Sequence, residues 1–130
     1  METMKLLEQA RDWKTFSDLC GQEIRNIIEQ CETGYPIAGD RARTAEKVGI
    51  LSRQRKQANQ QYQKALALIE EVPDPFVKDL LKIKFIFGKR KTWQQVSSHL
   101  GGMYSEDYLR LTARRALKRA AEKKKDTETT

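Results

Sequence analysis

Apolar residues recur at helical spacing in two stretches of the first 72 residues. One stripe runs from Leu6 to Cys31 and the other from Ala45 to Val72, and both advance in steps of three and four residues. Such steps place side chains on one face of an α-helix. The segment ETGYPIAGD, residues 32–40, holds two glycines and a proline and predicts a loop. Residues 1–72 are therefore predicted to form an antiparallel hairpin of two long helices.

Two details of the first stripe carry separate predictions. Thr15 could cap a new helix after a short one, so a break near Trp13 is left open. Cys20 and Cys31 fall on the stripe, and cysteines at such positions are usually buried as small apolar side chains. We expect both to be buried, and two cysteines so far apart predict neither a disulfide framework nor a metal site.

Residues 74–88 have the start and stop signals of a third helix. Asp74 is a good N-cap, Pro75 suits the first helical position, and Gly88 suits the C-terminal end. The apolar residues between these signals cover more than one face of a helix: Phe76, Val77, Leu80, Leu81, Ile83, Phe85, Ile86 and Phe87. Such a helix is predicted to be buried on more than one side.

Two further helices are predicted on either side of a pair of glycines. Thr92 and Gln95 form a T-x-x-Q capping box at the start of the first helix, which the glycines end after about two turns. Ser105 caps the second helix, which is predicted over residues 106–120. Its inner face consists of small and apolar residues, namely Leu109, Ala113, Ala116, Leu117 and Ala120.

Positive charge is concentrated in this second half of the chain. The whole chain has a formal net charge of +7, and residues 73–121 alone hold eleven bases and four acids. Much of this charge lies on the outer face of helix 106–120, and a basic helix fits the major groove of DNA. A short helix, a glycine-containing turn and a longer basic helix together predict a helix-turn-helix that binds DNA.

The predicted DNA-binding residues lie on that outer face and just before the preceding capping box. Arginine can make a bidentate contact with guanine, Leu111 could touch a thymine methyl group, and the bases at 89–91 suit backbone phosphates. The predicted set is Lys89, Arg90, Lys91, Ser105, Tyr108, Arg110, Leu111, Arg114, Arg115 and Lys118.

Two segments within residues 76–120, LLKIKFIFGKRKTWQQVSSHLG and YSEDYLRLTARRALKRA, carry a family resemblance. They resemble region 4 of the sigma-70 class. They resemble still more its relatives among small phage and prophage regulators, the ArpU/RinA-type late-gene activators. The matching residues are Val96, Leu100, Gly101, Ser105, Leu109, Arg110, Arg115, Ala116 and Leu117.

The chain departs from that pattern where residues 102–103 lengthen the turn, and where Ser97 and Tyr108 replace the usual alanine and threonine. The resemblance implies an all-α fold in which a sigma-region-4-like, three-helix domain follows the hairpin. It also implies a phage-encoded regulator of transcription.

Little in the sequence suggests an enzyme. His99 has no cysteine or acid at ligand spacing, and the adjacent acids at 70–71 and 106–107 diverge on a helix. We expect no catalytic site, no metal and no cofactor. No secretory segment and no apolar run long enough for a bilayer is present, so we expect the cytoplasm of a bacterial host cell and no membrane contact. The polar tail at 122–130 is expected to be disordered.

Three functions fit a hairpin at 1–72 followed by a helix-turn-helix at 73–121. The preferred one is a sequence-specific regulator of transcription that binds double-stranded DNA. The second is an interaction module that binds RNA polymerase or another host factor, and the third is a small terminase subunit.

The oligomeric state is predicted from the apolar side chains of the hairpin. A lone hairpin would leave Trp13, Phe16, Leu19 and Ile28 partly in contact with water, so we expect residues 4–72 to build a homodimer. The alternative is a monomer in which the helix at 76–87 covers these side chains.

Overall fold

The structure, a computed structural model, describes residues 2–32 and 38–128 of the chain. Over these residues the fold is all-α, as predicted, with no strand. The helices of the described residues are α1 (Glu2–Glu8), α2 (Ala10–Glu32), α3 (Ala38–Glu70), α4 (Pro75–Phe85), α5 (Trp93–His99) and α6 (Glu106–Glu128). None of the helices in these ranges combines the length and the apolar composition that a membrane span requires.

Two helix limits in the first half differ from the predictions. The interruption falls at Gln9, between α1 and α2, and not near Trp13. It is slight, because the Gln9 N–H still donates to the Lys5 carbonyl at 3.1 Å. The third helix begins at Ala38, inside the predicted loop, of which residues 33–37 lie outside the described residues.

The last helix is longer than predicted. α6 continues past residue 120 to Glu128, so the predicted disordered tail is helical as far as that residue. The segment EKKKD at 122–126 explains the difference, because glutamate and lysine are good helix formers and neither glycine nor proline interrupts them. Residues 129–130 lie outside the described residues.

The chain divides into two compact units whose limits differ from those of the predicted domains. The first, called the main unit here, comprises Met1–Arg11 and Gln63–Thr130, and the second, the two-helix unit, comprises Asp12–Tyr62. Residues 63–72, which the periodicity assigned to the hairpin, belong to the main unit. The reason is their burial there, since Ile69 and Val72 are 0% and 1% exposed.

The core of the main unit is formed by α4 and its neighbours. α4 contacts both α5 and α6, and α6 also contacts α1. The predicted burial of α4 on more than one side is therefore confirmed. The buried apolar side chains of the main unit are Leu7, Ala10, Ala65, Leu68, Ile69, Val72, Val77, Leu80, Leu81, Phe85, Val96, Leu109, Ala113, Leu117 and Ala120.

Both ends of α4 are fixed by side chains. At the N-terminus the Asp74 carboxylate accepts a hydrogen bond from the Phe76 N–H at 2.9 Å, as the predicted cap requires. At the C-terminus the Arg11 guanidinium donates to the carbonyls of Lys84 at 2.9 Å and Gly88 at 3.0 Å, among others. Lys84 lies in the last turn of α4, where carbonyls lack partners within the helix, and Gly88 lies just past its end, so Arg11 binds acceptors at and beyond the end of α4.

One aromatic residue predicted to lie in the core is exposed. Phe87 is 55% exposed. α4 ends two residues earlier, at Phe85, and the chain turns at Gly88, whose φ is +62°. The apolar pattern alone did not show that the helix stops before Phe87.

In the two-helix unit, segments of α2 and α3 lie side by side. Lys47 forms an ion pair with Glu23 at 3.5 Å, and the Lys14 ammonium lies 5.9 Å from the centre of the Tyr62 ring. Residue numbers therefore rise along one helix as they fall along the other. A Cβ atom at Gly21 would come within 3.1 Å of the Arg55 guanidinium, so the glycine allows the two helices to approach closely.

The two-helix unit has a thin core. Its buried apolar side chains are Cys20, Leu51 and Ala58. Burial of Cys20 confirms a prediction, whereas Cys31 is exposed and that prediction is wrong. Cys31 lies in the last turn of α2, and Ala45 at the start of the second stripe is exposed too, so the helices do not close over this end.

Candidate nucleic-acid interface

The predicted capping box at the start of α5 is present. The Gln95 N–H donates to the Thr92 hydroxyl at 3.2 Å, and the Gln95 amide oxygen accepts from the Thr92 N–H at 2.8 Å. Val96, one turn further on, is fully buried. The two bonds satisfy N–H groups that a helix start leaves open, and they fix the direction in which α5 enters the main unit.

The turn between α5 and α6 depends on the two glycines. Gly101 and Gly102 have φ angles of +79° and +72°, which residues with a Cβ atom rarely adopt. The Gly102 N–H donates to the Ser97 carbonyl at 2.9 Å, and the Gly101 N–H donates to the Ser98 carbonyl at 3.0 Å. This pattern of crossed bonds is a Schellman motif, which ends α5 sharply.

Ser97 has a structural role that the sequence did not suggest. Its hydroxyl donates to the carbonyl of Tyr104 at 2.6 Å, across the turn. Ser97 thus makes a hydrogen bond that alanine, the usual residue at this position in the sigma-region-4 regulators, could not make. The bond ties the end of α5 to the residue just before the cap of α6.

At the start of α6, Ser105 acts as a cap and Arg110 is paired. The Ser105 hydroxyl accepts from the Tyr108 N–H at 3.1 Å. Arg110 forms ion pairs with Glu106 at 3.3 Å and Asp107 at 3.0 Å. Both residues were predicted to contact DNA, and each already has a partner within the first turns of the helix.

Burial divides α6 into two faces. Leu109, Ala113, Leu117 and Ala120 are buried, and they belong to the predicted inner face. The opposite face, called the outer face here, consists of Asp107, Leu111, Arg114 and Lys118. All four are exposed, with Leu111 at 47%. Arg114 and Lys118 form neither an ion pair nor a hydrogen bond with a described residue, whereas Arg110 nearby is paired.

Arg115 lies in a different environment from the outer face. It lines a groove of about 420 Å³ together with Arg119 on one side and the carboxylates of Glu71 and Asp74 on the other. Val72, Val77, Ala116 and Ala120 supply the apolar part of the groove lining. No sequence pattern predicted this groove, because it forms where residues 71–77 meet residues 108–120 of α6.

Tyr108 belongs to a row of aromatic rings. It stacks on Tyr104 at 5.7 Å between ring centroids, and Tyr104 contacts Phe76 at 5.1 Å. Tyr108 is nevertheless 51% exposed. The ring is therefore held in position on one side and open to a partner on the other.

The three bases before α5 differ in their contacts. Arg90 donates to the Glu8 carbonyl at 3.2 Å, and the Lys91 ammonium lies 3.5 Å from the carbonyls of Phe87 and Lys89. Lys89 is exposed, and its side chain has no hydrogen bond or ion pair with a described residue. Of the three, Lys89 has the most accessible charge.

Lys84 lies beside the bases at 89–91, although it was not among the residues predicted to bind DNA. Its ammonium donates to the Lys91 carbonyl at 2.7 Å and lies over the rings of Phe85 and Trp93 at 5.2 and 5.4 Å. Burial, followed by the charge of Arg11, lowers the pKa of Lys84. The Lys84 side chain, from inside α4, therefore lies against the segment that leads into α5.

Comparison of the chain with protein-family models, with curated proteins and with solved structures finds no significant match. The resemblance to sigma-region-4 regulators therefore stays a prediction. The candidate interface depends on the geometry and charge of α5, the glycine turn and α6.

Proposed function

We propose that the protein binds double-stranded DNA through a helix-turn-helix made by α5, the glycine turn and α6, and that it regulates transcription. The observation that carries the proposal is the division of α6 into a buried face and a basic outer face. Arg114 and Lys118 are exposed without a partner among the described residues, so their charges are available to an anionic ligand. An α-helix with such a face fits the major groove.

Three residues of the outer face, and one base before α5, have a role in this mechanism. Arg114 makes a bidentate contact with guanine, and Leu111 packs on a thymine methyl group. Lys118 neutralises a phosphate further along the groove, and Lys89 neutralises one beside the start of α5. Ser105, Arg110 and Tyr108 act mainly by fixing the first turns of α6, because each already has a partner there.

A binding experiment with matched DNA tests this proposal. A labelled pool of random duplexes, incubated with the protein and then sequenced after repeated selection, should become enriched in a motif. The enriched duplex should bind more tightly than its own separated strands, because the major groove exists only in the duplex. Enrichment of no motif, with equal binding of duplex and single strands, contradicts sequence-specific major-groove binding.

The groove beside Arg115 favours a second candidate function. It has both charges and an apolar floor, which suits a protein segment better than a nucleic acid. In this second candidate the sigma-like domain binds RNA polymerase or another host protein. Substitution Arg119→Glu, in the groove, separates the two functions. It should weaken binding of a protein partner and leave DNA binding by the outer face of α6 unchanged.

We also propose that residues of α2 and α3 form an antiparallel hairpin through which two copies pair. The contacts of Glu23 with Lys47 and of Lys14 with Tyr62 support the antiparallel direction. A pair of copies suits DNA binding, because two reading helices about 34 Å apart reach successive turns of one groove.

A further inference from the structure

The two-helix unit has a face on which apolar side chains are open to water. Phe16 is 41% exposed, Leu19 57% and Ile50 40%. Phe16 and Trp13 line a groove of about 540 Å³ together with the amide side chains of Gln54, Gln57, Gln60 and Gln61. An aromatic groove bordered by uncharged amides can be covered by a partner without burying an unpaired charge.

Two rows of residues follow the helices along this face. The acidic stripe lies on α2 and consists of Asp12, Phe16, Leu19, Glu23, Asn26 and Gln30. The basic stripe lies on α3 and consists of Arg43, Lys47, Ile50, Gln54, Gln57 and Gln61. Both advance in steps of four and three residues, so each row occupies one side of its helix. Every member is exposed except Gln61, which is half-buried.

The two rows carry opposite charges, as do their helices. The acidic stripe has two acids and no base, and the basic stripe has two bases and no acid. Over longer stretches, residues 12–32 hold five acids and two bases, whereas residues 41–62 hold six bases and one acid. One face of the unit therefore carries two stripes of opposite charge, so each stripe is complementary in charge to the other stripe of a second copy.

This unit also buries few apolar side chains of its own. Among its described side chains, the buried apolar ones are Cys20, Leu51 and Ala58. The indole nitrogen of Trp13 is buried without a hydrogen-bond acceptor among the described residues, which is a further cost. Two helices with so little buried apolar area gain most by packing against further helices.

We propose that the acidic stripe of one copy packs on the basic stripe of a second copy, in a four-helix arrangement whose two-fold axis runs parallel to the helices. This inference deepens the proposed pairing and is independent of DNA binding. Rotation about an axis parallel to the helices leaves the position of each residue along that axis unchanged. Glu23, which pairs with Lys47 in its own copy, therefore also faces Lys47 of the second copy. An axis perpendicular to the helices would instead place acid on acid and base on base, which is repulsive.

Charge reversal on each stripe tests the proposal. One variant carries Asp12→Lys with Glu23→Lys, a second carries Arg43→Glu with Lys47→Glu, and a third carries all four changes. The full chain is studied without DNA by sedimentation equilibrium between micromolar and hundred-micromolar concentrations. The matched control is Arg53→Glu with Lys56→Glu, which reverses two exposed bases of α3 outside the basic stripe.

The wild-type chain should sediment as a dimer of 15.1 kDa subunits. The first two variants should each weaken dimerisation by about tenfold or more, because two rows of like charge then face each other. The third variant should recover the wild-type affinity, and a mixture of the first two should form a heterodimer. The control should dimerise like the wild type, and circular dichroism should show equal helix content for all chains.

Two results overturn the proposal. A wild-type chain that is monomeric at every concentration would assign the exposed face to a different protein. A dimer that tolerates both single reversals as well as it tolerates the control would place the contact elsewhere. Neither result bears on the outer face of α6, because no DNA is present, so failure of this inference and failure of DNA binding are observed separately.

Discussion

The main unit and the two-helix unit are built from helices of similar periodicity, yet they bury different kinds of side chain. Leucine, isoleucine, valine and phenylalanine dominate the buried residues of the main unit, including Leu80, Leu81 and Phe85. Among the described residues of the two-helix unit, the buried ones are mostly small, and Leu51 is the one large side chain. Meanwhile Phe16 and Leu19 of that unit are exposed.

Periodicity tells which face of a helix is apolar, and side-chain volume decides whether that face closes. Stabilisation by burial grows with the apolar area removed from water, at roughly 25 cal/mol per Å². The main unit removes large side chains from water within one chain. The two-helix unit keeps large side chains outside, which is the pattern expected of a surface that closes only against a partner.

The largest effect expected from this contrast is a core truncation in the main unit. Leu81 is fully buried, so Leu81→Ala should lower the free energy of unfolding by about 2–5 kcal/mol through the cavity it leaves. The matched change Leu19→Ala should cost little stability within one copy, because Leu19 is exposed, but it should weaken pairing. Chemical denaturation at low protein concentration measures the free energy of unfolding of both variants. Equal decreases for Leu81→Ala and Leu19→Ala would show that the two side chains are buried to the same extent.

The second effect is a loss of DNA affinity, which should be larger for the unpaired bases of the outer face than for a base held in an ion pair. Arg114→Ala and Lys118→Ala should each reduce duplex affinity by about 1–3 kcal/mol without changing the melting temperature. Arg110→Ala is the control, since Arg110 is held by Glu106 and Asp107 and should affect affinity less. Fluorescence anisotropy and thermal melts decide the matter, and an Arg114→Ala protein that unfolds would show that its face of α6 is not the outer one.

Glycines have different roles in the two units. Gly101 of the main unit has φ +79°, so Gly101→Ala should cost about 1–2 kcal/mol of stability even though the new Cβ would meet no atom within 4 Å beyond its chain neighbours. Gly49 of the two-helix unit lies inside α3, where Gly49→Ala should gain up to about 1 kcal/mol. Denaturation curves should show a lower free energy of unfolding for Gly101→Ala and a higher one for Gly49→Ala. A Gly101→Ala protein as stable as the wild type would argue that the turn does not require glycine at this position.

The smallest effect concerns an exposed ion pair. Hydrogen bonding and the charge of Lys82, with a further contribution from Lys78, lower the pKa of Glu70 from its ordinary 4.5. The folded state thus favours the ionised carboxylate, so this stability is present above about pH 4.5 and is lost as pH falls through the lowered value. Glu70→Gln should reduce the melting temperature slightly at neutral pH and not at about pH 2. A difference that grows on acidification would have the wrong sign.

Local features of the main unit were predictable from the sequence because adjacent residues determine them. Asp74 and Pro75 mark the start of α4, and Thr92 with Gln95 marks that of α5, since a cap needs only a side chain and the N–H groups two or three residues on. The faces of α6 were predictable for the same reason, because helical geometry alone assigns Leu109 and Arg114 to opposite sides.

Other features depend on contacts between distant parts of the chain, and the sequence did not reveal them. Arg11 satisfies carbonyls at the end of α4, more than seventy residues away. Arg115 lines a groove formed with residues 71–74, which helical geometry alone did not show. Cys31 and Phe87 were expected to be buried, and both are exposed because an apolar pattern does not say where its helix stops packing.

The salt dependence of duplex binding by the wild-type protein directly tests whether α6 and the bases beside α5 bind DNA. If the outer face of α6 and the bases beside α5 neutralise about 4–6 phosphates, the logarithm of the binding constant should fall against the logarithm of salt concentration with a slope near −4 to −5. Anisotropy titrations of one labelled duplex at several salt concentrations measure that slope. A flat dependence, or no binding of any duplex at low salt, would contradict DNA binding by this surface.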